Sequence, residues 1–467
     1  MEPAGAAADP YAGEGWREIL GQGRWAPFLL ICFGIWLHAA DGLIVVTTIP
    51  AIVADIGGLA WTGWTFALYQ VASIVAASLG GLAALRFGIG RATAGASAVF
   101  TIGCALDALA PDMGLFLIGR LVQGLGGGVM VALFHVAVTR AFPERHWTRI
   151  FAWVSAVWGV SALVGPLIGG LFAEAGLWRD AYWAFAAQAL LVTICSPFLF
   201  SNVAGAPQGL ELRVPWRALA ALVPGVLGIA VASVVDSAGL AVLSVAVGAG
   251  FLALFFYFDR REHSPLLPER SLSEVPVRFG LLMVLCFAVA TISFSVYGPL
   301  LLAQLHHVSL ILAGYLIAIE SVAWSVTAMM VGWVRPKGEP LCIKLGASVI
   351  ALGLLGFALS VPHGPIWAIA LSAALQGGGF GLAWAFIARR VAAGAIAAER
   401  ERAAGALPTT QMLSYAIGAA LAAIIANSLG LELATPPDRL QTIGFWIFFA
   451  FLPLTLPGFR AAWRLAR

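Results

Sequence analysis

The sequence predicts an all-α polytopic membrane protein, and three observations predict it. Of the 467 residues, 61% are hydrophobic and only 10% are charged, whereas soluble proteins carry about 25% charged residues. The apolar residues occur in long runs, and a helix needs about 20 of them to cross a bilayer. The basic residues, in turn, are concentrated in alternate gaps between these runs. Such a chain has too little polar surface to fold alone in water.

Fourteen runs of sufficient length divide the chain, and charges, proline, glycine or short polar turns separate each from the next. The division between the seventh and eighth depends mainly on Asp236 and Ser237. In order, we expect spans at about 25–52, 61–85, 92–110, 114–140, 148–174, 181–203, 216–236, 239–258, 278–304, 309–333, 341–361, 365–388, 406–430 and 440–460.

The spacing of the runs predicts a 6 + 2 + 6 arrangement. Residues 25–203 and 278–460 are two six-helix bundles with short turns, and 204–277 is a linker with two extra helices. Residues 1–24 and 461–467 are expected to be terminal segments in the cytoplasm. Residues 1–24 contain acidic residues and no apolar core, so we read no cleavable signal peptide there. Many transporters are built from repeated halves around a midplane site.

Positive charge fixes the expected orientation. With the N-terminus in the cytoplasm, 23 of the 26 lysines and arginines lie on the cytoplasmic side. Arg179 and Arg439 lie outside and Arg120 lies within a span, which is the distribution that the positive-inside rule requires. The formal net charge of +3 is too small to indicate nucleic acid as a partner. The expected environment is the lipid bilayer, specifically a bacterial cytoplasmic membrane.

No pattern for metal binding or enzymatic catalysis occurs in the runs. The five cysteines stand singly, without a C-x-x-C pair, and the histidines lack metal-ligand spacing with a carboxylate. No H-E-x-x-H motif, nucleophile–base pair or paired acids at helical spacing appear in any run. We therefore expect no enzyme activity, no metal and no cofactor.

The fourth and fifth runs contain unusual motifs. In LFLIGRLVQGLGGG (115–128), Arg120 is costly in hydrocarbon unless it faces protein or water, and Gln123 shares its face. The glycines that follow allow close helix contact. In GVSALVGPLIGG (159–170), Pro166 removes a backbone donor and should kink the helix. Gly159, Gly165, Gly169 and Gly170 leave a smooth face around it, and plain helix packing is the alternative explanation for these glycines.

Together these motifs resemble the major facilitator superfamily, in particular its 14-helix drug:proton antiporter family. The first run is also similar, because Asp41 and Pro50 keep the spacing of that family's first-helix signature, although Val46 stands where asparagine is common. The segments 265–280 and 299–315 look like the family as well. The resemblance implies a monomer whose two halves rock about a central cavity, with the proton gradient as energy source.

One loop departs from the superfamily pattern. The segment GLAALRFGIGR keeps Gly81, Arg86, Gly88 and Arg91, residues to which the resemblance assigns a role in gating. Leu85, however, stands where the family has the aspartate that is thought to hold the cytoplasmic gate closed. The basic residues could find another anionic partner or a helix C-terminus instead.

Two acids are placed deep in a run, Asp41 and Glu320, whereas Asp107 and Asp236 lie near outer ends, where we expect a wet, structural role. A carboxylate buried without a partner is costly when ionised. Asp41 is therefore expected to exchange protons, with His38 one turn earlier as a relay and Arg120 as a partner that holds it ionised until it moves away. A permanent Asp41–Arg120 structural pair and a merely packing His38 are the alternatives.

Glu320 and Trp324 share a helix face and suit a lipophilic cation, since a ring beside a carboxylate attracts such a charge. Trp36 and Gln123 are further candidates for cargo binding. A structural, water-bound carboxylate and a packing tryptophan are the alternatives.

The sequence thus predicts a proton-coupled antiporter that exports lipophilic small molecules such as drugs, cationic ones among them, by alternating access. The alternatives keep the fold and export a lipid, siderophore or metabolite instead. A sensor without transport is disfavoured because the chain shows no soluble signalling domain.

Overall fold

The protein was described from a computed structural model. It covers residues 19–21, 23–58, 61–201, 203, 214–232, 234–235, 237–263, 265–268, 270–308, 310–431 and 435–467. Most of the expected segment 1–24, most of the first part of the linker and Asp236 lie outside the described residues. The described residues contain helices and turns and no strand.

From Trp25 onward the described residues form seventeen α-helices, which we number in chain order. They are α1 Trp25–Ile56, α2 Thr62–Ser78, α3 Gly80–Phe87, α4 Ile89–Leu109, α5 Met113–Ala141, α6 Trp147–Glu174, α7 Trp178–Leu199, α8 Trp216–Ala232, α9 Ala238–Asp259, α10 Val275–Thr291, α11 Ser293–His306, α12 Leu310–Val331, α13 Glu339–His363, α14 Ile366–Gly394, α15 Arg400–Ser428, α16 Pro437–Phe449 and α17 Thr455–Leu465.

Each of the fourteen predicted runs contains at least one of these helices. Among the described residues, twelve segments are long and apolar enough to cross a membrane, and a thirteenth results if α2 and α3, bent by 47°, form one span. The helix in the seventh run, α8, has only 17 residues, which is the lower limit for a span. Helix α17 continues through most of the expected tail 461–467. The protein is thus a multi-pass integral membrane protein.

Local sequence explains several helix ends. The carboxylate of Asp112 accepts a hydrogen bond from the backbone N–H of Leu115 at 3.0 Å and caps α5. Gly88, with φ +75°, separates α3 from α4 in a conformation that other residues adopt only with strain. In the ninth run, α10 ends at Thr291 and α11 begins at Ser293, so this run is broken near its middle.

The helices pack as two halves and an additional pair. In the first half α1 packs against α5, α6 and α7, and α5 also packs against α2 and α4. In the second half α14 packs against α10, α12 and α13. The halves meet where α6 contacts α12 and α14, and where α15 contacts α2, α3 and α5. Helices α8 and α9 pack on each other and against α2 and α15, beside the second of these seams.

The two ends of the bundle differ in charge. We call the end formed by residues 86–91, 140–149, 335–344 and 389–402 the arginine-rich end, and the opposite one the arginine-poor end. At the arginine-rich end, Arg140 of α5 forms an ion pair with Glu401 of α15 at 3.0 Å. Arg149 of α6 donates to the carbonyl oxygen of Gly332, beyond α12. These contacts join the two halves at this end.

Candidate functional site

The first half contains a buried ion pair between α1 and α5. An Nη1 of Arg120 lies 2.9 Å from Oδ2 of Asp41 and 3.2 Å from Oδ1. Both residues are almost completely buried, with 0% and 2% exposure. The amide of Gln123 donates to Oδ1 of Asp41 at 3.1 Å, and its oxygen accepts from Arg120. Gln123 therefore lies with the ion pair rather than on an open cargo surface.

Further polar and aromatic groups surround this pair. The guanidinium of Arg120 lies 4.3 Å from the ring centroid of Tyr69, and Gln123 also donates to Sγ of Cys104 at 2.9 Å. His38 lies close by, but its Nδ1 is 2.9 Å from the Tyr69 hydroxyl and forms no hydrogen bond with Asp41 among the described residues. We call this group the Asp41 cluster: His38, Asp41, Tyr69, Cys104, Arg120 and Gln123.

The second half contains a carboxylate of a different kind. Glu320 of α12 is partly exposed as a whole, while its Oε2 atom is buried and has no hydrogen-bond partner among the described residues. The side chains of Gln376 and Tyr415 are near enough to interact with it. Among the described residues it forms no ion pair. Glu320 is thus an acid in the middle of α12 that no described cation neutralises.

Aromatic rings lie one turn from Glu320. The indole of Trp324 stacks on Phe380 with centroids 4.8 Å apart and an interplanar angle of 5°, and Trp384 lies 5.6 Å from it. The Nε1 atom of Trp324 is buried and has no hydrogen-bond partner within the described part of the chain. We call this group the Glu320 cluster: Glu320, Trp324, Gln376, Phe380, Trp384 and Tyr415.

The two clusters occupy equivalent positions in the two halves. The motif QGLGGG begins at Gln123 in α5, and QGGG begins at Gln376 in α14. A Cβ built on the glycine after Gln123 would overlap the carbonyl oxygen of Tyr69, and one built on the glycine after Gln376 would overlap that of Glu320. Tyr69 and Glu320 therefore stand at matching places against matching helices.

Comparison of the equivalent positions shows where the two halves differ in charge. Three residues before Gln123 stands Arg120, whereas three residues before Gln376 stands Ala373, which is fully buried. Gln123 donates to the carboxylate of Asp41, whereas Gln376 donates to the backbone carbonyl of Thr291 at 3.2 Å, at the break between α10 and α11. The second half thus lacks both members of the first half's ion pair and carries an acid elsewhere.

The glycines of α6 lie at helix contacts. Gly159 faces Ser325 of α12 so closely that a Cβ would overlap its side chain, which makes Gly159 part of the seam between halves. Gly165 and Gly169 pack against α1 near Leu43 and Thr47, whereas Gly170 has open space beside it. Helix α6 continues through Pro166 from Trp147 to Glu174.

Trp36 is partly buried on α1 and donates from its indole to Gln188 of α7 at 3.2 Å. Trp36 therefore lies in the first half, whereas two other residues predicted to bind cargo, Glu320 and Trp324, lie in the second half.

The loop that lacks the usual aspartate still contacts the other half. Leu85 is buried, and Gly81 lies against the backbone of Glu401 and Arg402, where a Cβ would come within 3.2 Å of the Arg402 Cα. Arg86 and Arg91 are exposed and form no ion pair among the described residues. The charge contact at this place is instead made by Arg140, which pairs with Glu401.

Six members of the two clusters were not singled out from the sequence: Tyr69, Cys104, Gln376, Phe380, Trp384 and Tyr415. A signal existed for Gln376, because the QGGG repeat of the α5 motif can be read directly. Nothing in the runs distinguishes the other five, since an aromatic residue or a cysteine in an apolar helix is most simply a packing residue. Asp107, expected to be wet, is instead fully buried, so that expectation was wrong.

Comparison with known proteins decides the family. The sequence profile of the Major Facilitator Superfamily matches residues 31–388. The chain belongs to the major facilitator superfamily. It is therefore a membrane transporter and not an enzyme, and its two clusters are polar groups inside the two halves of a facilitator. Family membership also explains the repeated halves.

Relatives and solved structures agree with this assignment. The facilitator is 32% identical over 436 residues to a probable multidrug-efflux transporter of Mycobacterium tuberculosis strain H37Rv, covering 88% of this chain and 90% of the relative. It is 23% identical to multidrug resistance protein 3 of Bacillus subtilis strain 168, covering 76% and 70%. The fold is similar to the human organic anion transporter MFSD10, with TM-score 0.65, 16% identity and coverage of 94% and 99%.

Proposed function

We propose that this facilitator is a proton-coupled exporter of lipophilic cations, working by alternating access as a monomer in a bacterial cytoplasmic membrane. The observation that carries the proposal is the Glu320 carboxylate, which has one buried, unpartnered oxygen one turn from the stacked rings of Trp324 and Phe380. An uncompensated carboxylate beside aromatic faces provides both attractions that a lipophilic cation needs. The bacterial relatives, a probable multidrug-efflux transporter and a multidrug resistance protein, support drugs as the cargo.

Proton coupling is assigned to the Asp41–Arg120 pair, with His38 as a neighbour. An ion pair removed from water is stable only while both charges face each other. Uptake of a proton by Asp41 releases Arg120, which favours a different packing of α1 against α5. Since α1 also contacts the glycine face of α6, which meets the second half, this repacking is transmitted to the seam between halves.

The proposal includes fourteen spans with both termini in the cytoplasm. Helix α9 is long and apolar enough to cross a membrane, and α8 packs against it beside the seam, which favours two additional spans between the halves. The arginine-rich end is then the cytoplasmic one. The Arg140–Glu401 pair, Gly81 and the residues 86–91 would separate when the transporter opens to the cytoplasm.

Uptake of ethidium into proteoliposomes with an acidic lumen tests the function. We expect uptake that requires the pH gradient and stops when an ionophore dissipates it. In Asp41→Asn, coupled uptake should be lost while the protein remains folded and inserted. Equal uptake with and without the gradient would contradict proton coupling, and gradient-driven uptake at the wild-type rate in Asp41→Asn would remove Asp41 from the mechanism.

A second candidate cargo is a lipid or other amphiphile. A recess of about 570 Å³, almost wholly apolar, opens between α6, α12 and α14 and is lined by Leu163, Leu312, Tyr315 and Ile319 among others. Its apolar lining, which includes Ile319 directly before Glu320, suits an acyl chain. Transport of a fluorescent phospholipid that persists in Glu320→Gln would favour this alternative, because a neutral tail does not need the carboxylate.

A further inference from the structure

A second buried carboxylate lies near the Asp41 cluster. Asp107 of α4 is fully buried, and neither of its side-chain oxygens has a hydrogen-bond partner among the described residues. It follows Cys104 by three residues and therefore shares its helix face, about 4.5 Å further along the axis toward the arginine-poor end. Cys104 in turn contacts Gln123, so Asp107 lies one helical turn beyond the cluster.

The fold makes room for this carboxylate beside Arg120. A Cβ built on Gly119 of α5, the residue directly before Arg120, would overlap the Asp107 carboxylate. Arg120 interacts electrostatically with both Asp41 and Asp107. From α7, Tyr182 presents a buried hydroxyl for which the described part of the chain also provides no hydrogen-bond partner. No other described cation besides Arg120 is buried with these two acids.

The titratable groups around Asp107 are few. Its own helix contributes Cys104, α5 contributes Arg120, α7 contributes Tyr182 and α1 contributes Asp41. At the arginine-poor end, Trp178 of α7 donates to Asp55 at 3.1 Å, and Arg179 pairs with the same, half-exposed carboxylate. Asp107 therefore lies between this solvent-exposed pair and the Asp41 cluster.

Charge balance limits what two acids and one guanidinium can do. A net charge buried away from water is costly, so the group is most stable when one of the two carboxyls is protonated. Asp41 accepts two hydrogen bonds from Arg120 and one from Gln123, which suits the ionised acid. Asp107 has no partner, which suits the protonated one.

We propose that Asp107 is a second proton-carrying residue, and that Arg120 exchanges Asp41 for Asp107 as its partner during transport. Before the exchange, ionised Asp41 pairs with Arg120 and Asp107 is protonated. After it, Asp41 is protonated and ionised Asp107 pairs with Arg120. One proton passes from Asp107 to Asp41, and the charge of the group does not change. Asp41 then releases this proton toward the arginine-rich end and pairs with Arg120 again, while Asp107 takes up a new proton from the arginine-poor end, so that one proton crosses the group in each cycle. This inference depends on the proposed proton coupling and extends it.

Transport by matched variants provides the first test. Wild type, Asp107→Asn and Asp112→Asn are compared in proteoliposomes with ethidium, the last as control because Asp112 is exposed and asparagine still caps α5. We expect gradient-driven uptake in Asp107→Asn to fall at least about tenfold. Ethidium binding and exchange without a gradient should stay within about twofold of wild type.

The outcomes separate the two proposals. Wild-type uptake that does not depend on the pH gradient would contradict the proposed function itself. Gradient-driven wild-type uptake with an unaffected Asp107→Asn defeats the role of Asp107 alone. Loss of exchange as well as of driven uptake in Asp107→Asn would also overturn it, because the residue would then be structural.

Thermal unfolding provides a second test that does not need transport. With either acid neutralised Arg120 keeps one carboxylate, but in Asp41→Asn/Asp107→Asn it keeps none. The unfolding temperature of the double variant should therefore fall further than the two single variants together predict, by at least about 2 °C. Additive shifts overturn the exchange. If a variant does not fold, infrared spectra of Glu320→Gln decide the matter, because a protonated carboxyl band must still be present at neutral pH when Glu320 cannot contribute to it.

Discussion

The two halves carry polar clusters at equivalent places, and among the described residues only the cluster of the first half contains a cation. In the first half, Arg120 neutralises Asp41, and both carboxylate oxygens of Asp41 accept hydrogen bonds inside the protein. In the second, the position equivalent to Arg120 is Ala373, and Glu320 is left with an unpartnered oxygen. A buried charge that is already paired gains little from a ligand, whereas an unpaired one gains much. The comparison therefore supports the proposed division of roles, with proton coupling in the first half and cation binding in the second.

The largest expected effect tests the paired half. Arg120→Ala leaves the Asp41 charge buried without a partner and should destabilise the protein by about 3–5 kcal/mol. Thermal unfolding in detergent would measure this. In Arg120→Ala/Asp41→Asn no unpaired charge remains, so most of the lost stability should return. If Arg120→Ala is as stable as the wild type, the pair is not what holds α1 to α5.

The next effect tests the unpaired half. Glu320→Gln removes a charge that has no internal partner, so the stability of the protein should hardly change. Binding of ethidium should weaken by about 1.5–3 kcal/mol, or roughly 10- to 100-fold, as measured by titration of the purified protein. A neutral aromatic analogue of the dye serves as control and should bind both proteins equally. Unchanged ethidium binding would show that the two carboxylates do not divide the tasks as proposed.

A smaller effect is expected from the ring beside Glu320. Trp324→Leu removes an aromatic face but leaves the carboxylate, and a partly exposed cation–π contact contributes about 0.5–1 kcal/mol. Ethidium binding should therefore weaken about 2- to 5-fold, while Trp324→Phe should stay near wild type. Equal losses in the two variants would indicate that the indole N–H, rather than the ring face, carries the effect.

The sequence predicts the fold better than it predicts the site. Run length and arginine distribution depend on the bilayer, which acts on each helix separately, so all fourteen runs contain helices. Which acid is paired depends instead on contacts between helices far apart in the chain. The expected approach of Arg120 to Asp41 was correct, but His38 bonds Tyr69 and not Asp41, and Asp107 is buried because Gly119 leaves space for it. None of these contacts follows from the periodicity of a single run.

The smallest effect concerns the arginine-rich end, where the halves touch and the usual loop aspartate is Leu85. The Arg140–Glu401 pair is mostly but not fully buried, with side-chain exposures of 9% and 18%, so solvent screening leaves it about 0.2–1 kcal/mol. Glu401→Gln should therefore shift the balance toward the form open at this end by only about 1.5- to 5-fold. Labelling of a cysteine introduced at Gly405, which lies 3.7 Å from the Gly81 backbone when a Cβ is added, would measure that shift. The exchanged pair Arg140→Glu/Glu401→Arg should restore the wild-type labelling rate. Faster labelling that persists in the exchanged pair would mean that helix packing around Gly81, rather than the ion pair, replaces the missing aspartate.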